Sequence, residues 1–221
     1  MDRVALSNKL AGGLLEMGLQ VSAEKQAKLV DYLLLIDKWN KVHNLTAIRD
    51  PLEMVTLHLL DSLSVLSHIQ ALNVRYLLDV GAGAGLPSIP LAICLPELQV
   101  TAIDAVQKKA SFMRQAKGEL DLANFHVESG RVEVLKKECF KAGLGFDVII
   151  SRAFSEIALF IKLTKHLLAE KGLWLAMKGV VPTHEFSQAG VQPEDIRVLK
   201  VAGLDAERHL IVIYPHQLKT N

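Results

Sequence analysis

The sequence predicts an α/β fold: a mostly parallel seven-stranded sheet finished by an antiparallel strand, with an N-terminal helical cap before it. Three observations predict it. From Tyr76 onward, short apolar runs alternate with helical segments, the pattern of parallel strands joined by crossover helices. No strand signal precedes Tyr76, and the earlier residues repeat their apolar positions at helical spacing. Near the end, the runs 196–202 and 209–214 are joined through Gly203-Leu204-Asp205, close enough to form a hairpin and reverse the strand direction. The expected organisation is a cap over residues 1–72 and a sheet domain over 73–221, packed as one unit.

Each element has its own local signal. Leu6, Leu10, Leu14 and Met17 lie on one helical stripe that stops at Gly18. Ser22 is placed to cap a second helix, with Glu24 in its first turn and Leu29, Leu33 and Ile36 at helical spacing, running on to Asn44. Asp50-Pro51-Leu52-Glu53 opens a third: a capping carboxylate, then proline at the first helical position, then Val55, His58, Leu59, Ser62, Leu63 and Leu66. Strands are expected at 76–80, 99–103, 124–128, 146–151 and 173–177, before the closing pair. Between them, helices run from Pro87 to just before Pro96 and over 106–119, 131–140 and 156–168.

The totals exclude several classes. With 221 residues, half of them hydrophobic and 22% charged, the chain folds around a generous core. A formal net charge of +1 gives no global attraction to nucleic acid or to an anionic membrane, so an RNA partner needs a local basic patch. Cys94 and Cys139 are too few for a disulfide framework or a zinc site and are expected in the core, which suits a reducing cytosol. Met1-Asp2-Arg3 does not begin a signal peptide, and the apolar run at 33–36 is far too short to span a bilayer. A cytoplasmic protein without membrane contact is expected, and a monomer is assumed.

The stretch Leu77-Leu78-Asp79-Val80-Gly81-Ala82-Gly83-Ala84-Gly85-Leu86-Pro87 carries the strongest chemical signal. A buried strand ends in Asp79-Val80 and glycines turn the chain into a helix, whose first N–H groups are unpaired. A dinucleotide fingerprint fails: read from Gly81, Leu86 stands where the third glycine belongs, and read from Gly83, Pro87 falls inside the pattern. Asp-x-Gly-x-Gly-x-Gly is instead the first motif of class I methyltransferases, which use S-adenosylmethionine on a Rossmann-like sheet closed by an antiparallel strand. On that reading the residues from Asp79 through Gly81, Ala82 and Gly83 to Gly85 cradle the cofactor. A turn without a ligand and a dehydrogenase are the weaker readings.

In open parallel sheets, ligands sit beyond the carboxyl ends of the strands. The second strand ends at Asp104, about twenty residues past the turn, where an acid accepts from both ribose hydroxyls; a helix cap is the structural alternative. After the third strand, Gly130-Arg131-Val132-Glu133 is placed to bracket an adenine. The fourth ends in Ser151-Arg152-Ala153-Phe154, with neither the Asn-Pro-Pro-aromatic run of amine methyltransferases nor the Pro-Cys pair of pyrimidine methylation. Arg152 offers a fixed fork of donors, and Phe154 is a base platform or a core residue. Lys108, Lys109, Arg131, Arg152, Lys178 and Arg208 are expected along one rim, as phosphate contacts or as solvated charges. His43, Asn44, Arg49 and His58 of the cap are placed to close over the site, with interhelical hydrogen bonding the stronger reading for His43 and Asn44.

Six ordered motifs make the chain recognisable. Trp39-Asn40-Lys41-Val42-His43-Asn44-Leu45-Thr46, His58-Leu59-Leu60-Asp61-Ser62-Leu63, Gly85-Leu86-Pro87, Ser151-Arg152-Ala153-Phe154, Lys178-Gly179 and Glu207-Arg208-His209-Leu210 together resemble the glucose-inhibited division protein B family. The resemblance implies a methyltransferase acting on guanine N7 in 16S ribosomal RNA, with the ribosomal RNA or small subunit as partner. It also implies that Gly81, Leu86, Val132, Glu133 and Arg152 contact the cofactor, while Arg49, His58, Lys108, Lys109, Arg131, Phe154, Lys178 and Arg208 are candidates for the RNA. Ser88 departs from the family, where glycine is usual. Guanine N7 has a lone pair and no proton to lose, so no catalytic base and no metal are expected. A methyltransferase of small molecules or proteins, and a non-catalytic RNA-binding assembly factor, are the alternatives.

Overall fold

The computed structural model describes residues 2–140, 143, 145–152, 154, 156–191 and 195–218. Ala153 lies outside the described residues, as does the side chain of Cys139, which the sequence assigns to the core. Cys94 is buried among apolar neighbours.

Helix α1 (Arg3–Glu16) starts at Asp2, whose carboxylate accepts from the Val4 N–H, and α2 (Ala23–His43) starts at Ser22, whose hydroxyl accepts from Lys25. Each cap satisfies one of the otherwise unpaired N–H groups of a first turn. Asn44 ends α2 in the left-handed region at φ +47°, which asparagine tolerates better than most residues. Asn44 is therefore a helix terminator, and the side chains of Asn44 and His43 are exposed rather than buried between helices. Within the cap, a buried amide is Asn40, whose Nδ2 donates to Ile48 O and whose Oδ1 accepts from Thr46 N.

The third helix begins as the sequence predicts, with Asp50 accepting from Leu52 N and Pro51 in the first position. It does not continue as one α-helix. It runs as α3 (Pro51–Met54), a π-helical turn at Val55–Leu60, α4 (Asp61–Leu63) and α5 (Leu66–Leu72). In the wide turn the Asp61 N–H reaches back five residues to Thr56 O.

The strands are β1 (Tyr76–Val80), β2 (Gln99–Asp104), β3 (Phe125–Ser129), β4 (Phe146–Ser151), β5 (Leu168–Lys178), β6 (Asp195–Val198) and β7 (His209–Ile213). Their order is β3-β2-β1-β4-β5-β7-β6, parallel from β3 to β5, with β7 antiparallel to both β5 and β6. The intervening helices are α6 (Ser88–Cys94), α7 (Gln107–Glu119), α8 (Ile157–Thr164) and α9 (Thr183–Ala189). Alternation along the strands divides two cores. Leu77, Val100, Val148, Leu175 and Val212 face the cluster that also contains Leu10, Leu33, Ile36 and Leu59 of the cap. Leu78, Ile103, Ile149, Trp174 and Ile213 face the cluster with Ile157 and Phe160 of α8.

Four further predicted elements differ. In place of a helix over 131–140 there are two 3₁₀ turns, Val132–Val134 and Lys137–Cys139, from which Val132, Leu135 and Phe140 pack on the second core while Val134 is exposed. The helix predicted over 156–168 stops at Thr164, and β5 begins at Leu168 rather than Leu173. The strand predicted over 196–202 stops at Val198, although Leu199, Val201 and Ala202 remain buried. Helix α9 carries no predicted counterpart. Among the described residues, no helix is long and apolar enough to cross a membrane and no acidic, histidine or cysteine cluster could hold a metal ion.

Candidate active site

The glycine turn lies at the carboxyl end of β1, the central strand between β2 and β4. Gly81, Gly83 and Gly85 have φ of +72°, +63° and +84°, so the every-second-residue pattern reflects three left-handed positions in one turn. The Gly81 and Ala82 N–H groups both donate to Ile103 O, and Gly83 N donates to Asp104 Oδ2 at 2.9 Å. From the cap, Tyr32 Oη donates to Ala84 O at 2.6 Å. Beneath the turn, Asp79 is fully buried and accepts from Ser88 N through Oδ2, so Ser88 fits at the helix start without displacing the cradle. Burial pushes the Asp79 carboxyl up to about 7, opposed by its hydrogen bonds with Ser88.

Two openings lie at the carboxyl edge of the sheet. The first is a cavity of about 180 Å³ lined by Gly81, Asp104, Gly130, Arg131, Val132, Glu133 and Phe154, with Val80, Ile103 and Leu163 as apolar walls. Asp104 ties down Gly83 through one oxygen and Val106 N through the other, and Lys109 stands 3.8 Å away. A carboxylate has about four lone-pair sites, so two N–H bonds leave acceptor capacity for hydroxyl groups. Glu133 is held below the usual carboxylate range by its own backbone N–H and by Arg131, whose Nε donates to it at 2.6 Å. An added Cβ at Gly81 would meet nothing within 4 Å, so open space fronts the turn. An acid at the strand end, a side-chain-free backbone and apolar walls fit the nucleoside of S-adenosylmethionine.

The second opening is a cleft of about 560 Å³ lined by Thr46, Ala47, Ile48, Leu57, His58, Asp61, Arg152, Met177, Lys178, Gly179 and Arg208. It lies between the cap and the ends of β4, β5 and β7. Arg152 Nη1 donates to Leu57 O in the π-helical turn and to Asp61 Oδ2, while Arg208 Nε donates to Asp61 Oδ1. His58 is buried, with Nε2 against Thr46 Oγ1 at 3.0 Å. Burial and the nearby Arg152 charge bring its pKa down to about 4, so the imidazole is neutral near pH 7.

Of the residues predicted to hold the cofactor, Gly81, Asp104, Val132 and Glu133 therefore meet in one cavity. Asp79, Ala82, Gly83, Gly85 and Leu86 build the turn beside it, with Ala82 and Leu86 turned into the core. Arg152 lines the neighbouring cleft instead. The predicted rim of six cations divides. Arg152, Lys178 and Arg208 share the cleft, where Lys178 is largely buried against Glu185 of α9; Arg131 is at the cavity; Lys108 and Lys109, with Arg49, line neither. Lys108 Nζ donates to His43 O, and Arg49 is engaged with Asn40 O and Asn44 Oδ1. Phe154 has a core neighbour, Phe160 at 5.3 Å between ring centroids, and a face on the cavity. Sequence reasoning missed Asp61, Tyr32 and Glu185. Asp61 alone carried a signal, as the acid in the run His58-Leu59-Leu60-Asp61-Ser62-Leu63 that carries the resemblance.

Comparison with known proteins agrees with this architecture. A ribosomal RNA small subunit methyltransferase G from Methylobacillus flagellatus is 59% identical over 212 residues, covering 96% of this chain and all of that one. In fold, the chain is similar to a predicted O-methyltransferase from Agrobacterium tumefaciens, with a TM-score of 0.53 at 22% identity over 71% of this chain and 78% of the other. It is also similar to a SAM-dependent methyltransferase from Aquifex aeolicus, with a TM-score of 0.51 at 18% identity over 75% and 98%. The sheet order and its antiparallel strand are those of a Rossmann-like methyltransferase. The family model described as rRNA small subunit methyltransferase G matches residues 25–211, from α2 through the cavity and the cleft to β7, and the chain belongs to that family, GidB.

Proposed function

We propose that the chain transfers the methyl group of S-adenosylmethionine to N7 of a guanine in small-subunit ribosomal RNA, acting in the cytoplasm. The observation that carries the reading is the pairing of a cavity at the glycine turn, with Asp104 and Glu133 on its wall, with an arginine-lined cleft, both at the carboxyl edge of the sheet. Gly81 through Gly85 supply a backbone surface for the cofactor, Asp104 receives its ribose, and Val132 with Glu133 brackets its adenine. When bound, the cofactor supplies an electrophilic methyl group.

The chain's own task is placement. Guanine N7 needs no deprotonation, and the cleft supports this: His58 is neutral but tied to Thr46, and Asp61 is committed to two arginines. Holding the two reactants in line supplies most of the acceleration, and effective molarities of about 10⁵–10⁸ M are available from such placement. A base reaching the cleft must leave its RNA stack, so cations that hold the flanking backbone act as part of the catalyst.

Incubation with methyl-labelled S-adenosylmethionine and small ribosomal subunits or their RNA, followed by nucleoside mass spectrometry, tests the reading. Labelled 7-methylguanosine is the expected product. Cofactor binding with no transfer to RNA would redirect the assignment to a small-molecule or protein substrate.

A further inference from the structure

The cleft holds more positive charge than its own acids balance. Asp61 is buried, with one oxygen accepting from Arg152 Nη1 at 2.9 Å and the other from Arg208 Nε at 2.8 Å. Lys178 is matched by Glu185 at 3.1 Å, and the His58 imidazole is neutral near pH 7. Two guanidinium groups on one carboxylate leave one uncompensated cation on the cleft wall. Arg208 spends Nε on Asp61 and Nη1 on Glu207 O, and its Nη2 meets no acceptor among the described residues. Its side chain is 25% exposed, and Gly179 leaves it room: a Cβ there would lie 3.7 Å from Nη1.

We propose that Arg208 receives a backbone phosphate of the RNA beside the target guanosine, and that Asp61 is a positioning residue that fixes the guanidinium plane for it. The proposal rests on the RNA reading above. Arginine is suited to this because its planar fork matches phosphate oxygens, and the plane is set once one edge is anchored. Asp61 anchors the Nε edge, and Arg152, bound to the other oxygen and to Leu57 O, keeps Asp61 from turning away. Phosphate contacts set register and orientation without reading sequence, as an unstacked base presented to a small cleft requires. Asp61 comes from the cap, Arg152 from the end of β4 and Arg208 from the start of β7, so the receptor exists only when cap and sheet are packed together.

Arginine Nε–Hε signals of the full-length protein, followed by nuclear magnetic resonance, test the site without turnover. Guanosine 5′-monophosphate is expected to shift the Arg208 signal to saturation, guanosine to leave it in place, and the shift to persist with saturating S-adenosylhomocysteine. Equal responses to nucleotide and nucleoside, or loss of the shift when S-adenosylhomocysteine is bound, would overturn the proposal; the second result would assign the cation to the cofactor carboxylate. With small subunits as substrate, Arg208→Ala should raise KM about tenfold with little change in kcat and lower the salt slope by about one. Arg208→Lys should restore only part of this, and Asp61→Asn should raise KM without weakening S-adenosylhomocysteine. A loss confined to kcat in Asp61→Asn contradicts the positioning role. Absence of 7-methylguanosine with the parent protein would sink the functional reading alone, because the nucleotide titration needs no methyl transfer.

Discussion

Tyr32 joins the cap to the cradle through a single hydroxyl. Its phenol is fully buried, and the bond to Ala84 O is the only place where a cap side chain touches the glycine turn among the hydrogen bonds described. Tyr32→Phe leaves that carbonyl without its donor, a loss of about 1–3 kcal/mol that a shift in the denaturation midpoint would measure. Asp79 and His58 make opposing contributions with pH. Asp79 has a folded pKa of about 7, above its ordinary value of 3.8, so its stabilising effect is present below about pH 4 and is lost as pH rises to 7. His58 has a folded pKa of about 4, below 6.5, so its effect is present above 6.5 and is lost as pH falls towards 4. Between these limits the two slopes cancel. Asp79→Asn should therefore expose a stability that rises with pH, and His58→Gln one that falls, each by up to about 1.4 kcal/mol per pH unit. Parallel denaturant midpoints of both variants and the parent at pH 5 and pH 6.5 would show the cancellation to be wrong.

Among the elements, the turn and the wide helix do the most for the site. Gly83→Val should lose cofactor binding in a calorimetric titration, chiefly because a β-branched residue cannot hold φ +63°; steric filling is secondary, since the nearest atom to an added Cβ is Gly81 O at 4.0 Å. An unchanged affinity would detach the cofactor from this turn. Both the turn and the strands were legible because they depend on local chemistry: glycines at left-handed positions and apolar runs of strand length. The π-helical turn was not. One added residue leaves Val55, Leu59 and Leu63 apolar as before, and the 3.6-residue pattern cannot register it, yet it brings Leu57 O and Asp61 to Arg152. The segment 131–140 failed for another reason: Val132, Leu135 and Phe140 reach the second core from short 3₁₀ turns, while their spacing imitates a helical stripe. Arg152 was legible as a strand-end cation by position, but its partners lie more than ninety residues away in the chain. Arg152→Ala should cut methyl transfer about a hundredfold, a figure typical of lost alignment, and discontinuous assay of initial rates would detect it.

At the scale of the whole molecule, residues of the cap and of the sheet share one core. Leu29, Leu33 and Ile36 of α2 and Leu59 of the π-helical turn are fully buried in the same cluster as β1, β2 and β4 residues. We expect residues 73–221 expressed alone to lack a cooperative unfolding transition by circular dichroism, because that face of the sheet would be stripped of its cover. A sharp transition would establish the sheet domain as self-sufficient. The total charge of +1 hid the cleft's cations for a related reason: Asp61, Arg152 and Arg208 come from three segments distant in sequence, which composition averages away.

Placing β7 between β5 and β6 also sets a timetable for synthesis. Until His209–Ile213 has emerged, β5 presents a bare backbone edge and β6 has no neighbour to dock on. The chain from Lys178 to His209 takes roughly 2–6 s to make at ribosomal speeds of about 5–20 residues per second. Throughout that interval the growing polypeptide carries an unprotected strand edge, the kind of surface that templates aggregation. Slow passage through this stretch lengthens that hazard, and fast passage shortens it.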